Sequence, residues 1–210
     1  MLQELTLLSL GWLAGVLSPI LVDKIRAKRE LTAVQAALKD ELDEIGYRLA
    51  LASQSVHQHF GTTDREQLQW LSKRVAAYRG KESRDAIQKG VDLQLSWSDD
   101  QFLSFVLQDA APRGKGLHLT KFAMPFADAR VPGWHLLPAG LRVGLLAIHG
   151  DIRLLNDAAD LSRLHAQQTF SKLNADEYES VIGNLAGSCS QYARHCRYAA
   201  DRMAQLQPLL

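Results

Sequence analysis

Four side chains able to handle protons or anions fall close together mid-chain: His118, Asp128, Arg130 and His135, with His149 shortly after. An imidazole beside a carboxylate can act as a general acid or base, and an arginine can hold an anion. Just before them, Arg113-Gly114-Lys115-Gly116 offers two cations and two glycines, whose backbone amides can wrap a phosphate. The run lacks the remaining residues of a P-loop, and no GxSxG nucleophile motif occurs. Arg113, Lys115, His118, Asp128, Arg130 and His135 therefore form a candidate ligand-binding set, and no residue is assigned as catalytic.

Two other groupings carry less. His57 and His59 flank Gln58, but two ligands do not make a metal site. Cys189 and Cys196 lie two helical turns apart, about 10 Å along the axis. That is too far for a disulfide within one helix, so both read as small core residues even with His195 adjacent. No metal and no cofactor is expected.

The ligand candidates fall within one stretch, 111–138. Pro112, Pro125, Pro132 and Pro138 fall there, four of the six prolines, with Gly114, Gly116 and Gly133. Leu117, Leu119, Phe122, Met124, Phe126 and Trp134 make it too apolar to stay disordered. The expectation is an ordered crossover laid over helices, extended from Leu117 to Met124. Functional residues concentrate on such loops.

The flanking elements read as helices. Leu31, Val34, Leu38, Leu42, Ile45, Leu49, Ala52 and Val56 recur at gaps of three and four, with Glu41, Asp43, Glu44 and Arg48 off the stripe and expected in solvent. Gly61 suits a left-handed helix terminus. Thr63 to Glu66 reads as a capping box for a helix carrying Leu68, Leu71, Val75 and Tyr78. Ser83 and Ser98 open two more helices. A long helix from Pro138 to about Gln168 carries Leu141, Leu145, Ile148, Ile152, Leu155 and Ala159. The last opens at Asn174 and carries Tyr178, Ile182, Leu185, Cys189, Tyr192, Cys196, Ala199, Met203 and Leu206 at alternating gaps of four and three.

Ahead of these, Leu5 to Val22 has no charged residue. As a helix it covers about 27 Å, close to the ~30 Å of a bilayer core, and so reads as one membrane span. Lys24, Arg26, Lys28 and Arg29 follow it and no basic residue precedes it. Positive flanks stay cytoplasmic and can touch lipid headgroups, so the N-terminus is expected outside and the rest inside. Gly11, Gly15 and Ser18 share a face that can bring two such helices together.

A net charge of +1 gives no global field for nucleic acid, and no nucleic-acid partner is expected. The basic run Arg65 to Lys89 nonetheless marks a possible lipid or nucleic-acid face. The whole reads as an all-α chain: a transmembrane anchor over 1–22, a helical stalk over 23–60 and a cytoplasmic bundle with coiled-coil-like packing over 61–210. The expected role is a single-pass interaction or regulatory module at the inner membrane, with a protein partner or a second copy. The alternatives are a small-ligand binder or enzyme using the crossover, or a membrane-disrupting effector.

Overall fold

The computed structural model describes the backbone of residues 2–80, 84–111, 117–130, 134 and 137–210, and their side chains from Leu21 onward. Helix α1 spans Leu2–His59, α2 Arg65–Ala77, α3 Arg84–Ser96 and α4 Asp99–Asp109. A short α5, Pro125–Ala129, is followed by the long pair α6, Ala139–Gln168, and α7, Ala175–Leu206, with a 3-10 turn at Gln207–Leu209. Among the described residues there is no strand, and the chain is a helical bundle.

Helix α7 is the middle of the bundle, with α1 on one flank and α6 on the other. The Ser53 hydroxyl donates to the Ala193 carbonyl, while the Gln207 amide donates to Asp43, so α1 and α7 run antiparallel. Arg202 meets Asp151 at 2.7 Å and Cys189 meets Ser162 at 3.5 Å, so α6 and α7 also run antiparallel. Leu42, Leu49, Leu145, Leu155, Cys189, Cys196 and Ala199 have no solvent exposure at all. The heptad stripes of α1, α6 and α7 therefore meet in one core. The stripe of α7 is solvated at its start, where Tyr178 is 40% exposed.

Helix α1 has 58 residues, about 87 Å of unbroken helix. Its described part changes character along its length. Residues 21–30 are all exposed, and from Leu38 to Val56 the stripe is core. The segment from Leu38 onward folds into its own bundle through α7. Among the described residues no helix is long and apolar enough to cross a membrane. The side chains of Leu5 to Ile20, with Gly11, Gly15 and Ser18, lie outside the described residues.

Helix ends follow local chemistry. Ser98 and Gln101 cap α4 reciprocally, and Asn174 and Glu177 do the same for α7. At α2 the cap falls one residue later than the sequence pattern indicates. Asp64 accepts from the Gln67 amide at 2.7 Å, while Thr63 is buried and accepts from Gln54. Pro138 is the N-cap residue of α6, just ahead of the first turn. Ser83 lies outside the described residues, and α3 begins at Arg84. Two of the acidic residues expected in solvent are not there. Asp43 is buried and holds the backbone and side chain of Arg79, and Glu41 reaches the crossover.

Candidate functional site

Among the described residues the backbone of the crossover is tied down at three points, each by a side chain from a long helix. Asn156 of α6 pairs reciprocally with the backbone of Phe122, accepting from its amide at 2.9 Å and donating to its carbonyl at 2.8 Å. No strand forms over Leu117 to Met124, because the Asn156 amide takes the place of a partner strand at this point. Tyr192 of α7 donates to the Thr120 carbonyl at 2.7 Å. Burial pushes the Tyr192 phenol well above its ordinary range, so it stays a donor. Glu41 of α1 accepts from the Phe126 and Ala127 amides at 2.7 and 2.9 Å.

The last contact explains how five residues form a helix there. Pro125 presets the first turn, but Met124 supplies no side-chain cap. A carboxylate from α1 satisfies two of the orphan amides and faces the positive end of the helix. Alanine at Glu41 should loosen α5 and lower stability by about 1–2 kcal/mol. Hydrogen exchange would show faster turnover at Phe126 and Ala127, and unchanged protection there would refute the capping role.

Between this helix and the middle of α1 lies an apolar cavity of about 110 Å³. One wall is Ala27, Glu30, Leu31, Val34 and Leu38; the other is Phe126, Ala127, Arg130, Trp134 and Leu137. The spacing on α1 is one helical face, the outward continuation of its core stripe. Arg130 is exposed, with its guanidinium 5.7 Å from the centre of the Phe126 ring. Among the described lining residues none carries a hydroxyl or thiol. The chemistry on offer is burial of an apolar group beside the charged side chains of Arg130 and Glu30.

The ligand candidates are only partly brought together. Arg130 lines this cavity, and Asp128, on the same short helix, faces His149 of α6 at 3.5 Å. Trp134 lies over His149, with ring centres 5.4 Å apart. The far ring nitrogen of His149, Nε2, is buried with no hydrogen-bond partner among the described residues. His118 is exposed and lines a separate cavity of about 230 Å³ with Arg163 and Ser162 of α6. Arg113, Lys115 and His135 lie outside the described residues. Leu31, Val34 and Leu38 carried no distinguishing sequence signal, because there they read as ordinary stripe residues.

The other groupings are structural. His57 meets the Thr62 hydroxyl at 3.1 Å, and burial holds its imidazole below the ordinary value against the opposing pull of a hydrogen bond to the Thr62 backbone. The basic run is largely spent on structure. Arg65 grips Asp99 and the carbonyls of Leu95 and Trp97, Arg74 pairs with Asp201, and Arg79 pairs with Asp40 and Asp43. Lys73 and Lys89 remain on the surface.

Both cysteines are free and buried. Burial pushes the Cys189 thiol up and the Cys196 thiol up to about 12, so neither forms a thiolate near neutral pH. A thiol reagent should label neither cysteine in the native protein and both after denaturation. Stoichiometric labelling of the native state would contradict this packing.

No protein-family model, curated protein or solved structure matches the chain.

Proposed function

We propose that this chain is a membrane-anchored helical interaction module, held at the inner membrane by Leu5 to Val22 with its bundle on the cytoplasmic side. One observation carries the reading. A single helix leaves the bundle, and its residues 21–30 are all exposed, including Leu21, Val22 and Ile25 at more than half their surface. Lys24, Arg26, Lys28 and Arg29 are exposed there too, where they suit anionic headgroups. Gly11, Gly15 and Ser18 supply a small-residue face for a partner helix.

Alkali washing of membranes tests the anchor. The full chain should stay in the pellet, and Leu13→Arg with Leu17→Arg should release it. Release of the unaltered chain would end the anchored reading. Purification in mild detergent, with mass spectrometry of what co-purifies, tests the module. A stoichiometric protein, itself included, is expected, and its absence would end that reading.

The cavity between α1 and α5 favours a second reading, binding of a small apolar ligand. Its volume is of the order of the ~150 Å³ cavity that admits benzene. A fluorescent apolar reporter should bind and be lost in Ala127→Phe, which fills the space. Equal binding by both forms would remove this reading.

A further inference from the structure

Helix α6 is apolar on two opposite faces. Its buried face, Leu141, Leu145, Ile148, Ile152 and Leu155, packs into the core. Val143, Leu146, Leu154, Leu161 and Leu164 are between 45% and 67% exposed. At about 100° per residue these five fall within ~80° of one another, centred directly opposite the buried face. Gly150, where an added Cβ would meet open space, and the exposed Asp157 complete the stripe. The gaps over 143, 146, 150, 154, 157, 161 and 164 are 3, 4, 4, 3, 4, 3, the spacing of a helix-pairing seam. An exposed apolar stripe about 31 Å long marks an interaction surface.

The stripe also states what fits it. Apart from Leu154 itself, its positions are symmetric about the point between Arg153 and Leu154. If a second α6 is laid antiparallel about a two-fold axis there, Val143 meets Leu164 and Leu146 meets Leu161. Gly150 meets Asp157, leaving room for the carboxylate. Leu154 lies beside its own copy. Arg153 and Asp157 lie on the same side of the seam and, across the axis, fall about 4.5 Å apart along the helix direction. Both are exposed, and neither holds an ion pair among the described residues. An isologous interface requires this self-complementarity, apolar against apolar and cation against anion.

We propose that the partner on this face is a second copy of the chain, joined through antiparallel α6 helices in the register just described. This rests on the interaction-module reading and names its partner. The test is sedimentation of the full chain in mild detergent. The unaltered chain should be a dimer. Leu146→Glu alone and Leu161→Lys alone should each raise the dissociation constant at least about 100-fold. The double variant should restore the dimer, since each Glu then faces a Lys of the other copy. Both positions are exposed, and helical content by circular dichroism checks that the bundle is intact. Leu154→Cys should form an intermolecular disulfide under mild oxidation, while Leu103→Cys, on α4, should not.

A dimer indifferent to the single changes would place the contact elsewhere and overturn the proposal. A double variant that stays dissociated would overturn the antiparallel register. A monomer that holds a different protein overturns the proposal and leaves the module reading intact, whereas a monomer that holds none overturns both.

Discussion

Alanine at Leu49 should lower the stability of the bundle by about 2–5 kcal/mol. Leu49 is fully buried on α1, within the stretch that packs against α7. The change removes apolar contacts and leaves a void that rigid neighbouring helices close only partly. Against a typical total of about 5–15 kcal/mol, this loss moves the unfolding midpoint far. Ile25→Ala, on the same helix but 53% exposed, should stay within about 0.5 kcal/mol. Urea unfolding of the full chain in mild detergent, followed by tryptophan fluorescence, reads both. Equal shifts would mean that α1 is uniform along its length and that its later half is not core.

Valine at Gly61 should cost about 2–5 kcal/mol. Gly61 has φ of +61°, the left-handed region, just past the end of α1. The Thr62 amide bonds the His57 carbonyl at 2.9 Å and the Gly61 amide bonds the Gln58 carbonyl at 3.1 Å, which together close the helix. A side chain there costs about 1–2 kcal/mol in backbone strain. Its Cβ would also sit 2.9 Å from the Ala110 Cβ, just past the end of α4, and overpacking adds about 1–3 kcal/mol. Gly61→Asn separates the two, because asparagine tolerates the left-handed region but keeps the Cβ clash. Thermal unfolding should rank glycine, asparagine and valine in falling stability. If valine equals glycine, this turn does not hold α1 against α4.

The structural role of one side chain shows how far local reasoning reaches. Glu41 lies off the apolar stripe, as a solvated residue should, yet it caps a helix that starts at Pro125. Asp43 reads the same way and is buried under Arg79 and Gln207. Nothing near either residue in sequence distinguishes them from Glu44 and Arg48, which are exposed.

By itself the sequence determined the long helices and several helix ends, though not α5 or the Asp64 cap of α2. Ser98 with Gln101, Asn174 with Glu177, and Gly61 act on backbone groups within a few residues, so their chemistry is complete locally. The core faces of α1 and α7 were legible for the same reason, since a period of 3.6 places a stripe whatever it packs against. Only the tertiary structure decided what that stripe meets. It made Leu38 to Val56 of α1 core and left residues 21–30 uncovered, brought Arg130 beside Leu31 and Val34, and sent His118 elsewhere. It also chose between the two apolar faces of α6, burying that of Leu145 and leaving that of Leu146 uncovered. Both faces satisfy the same periodicity, and only the position of α7 decides which of them is buried.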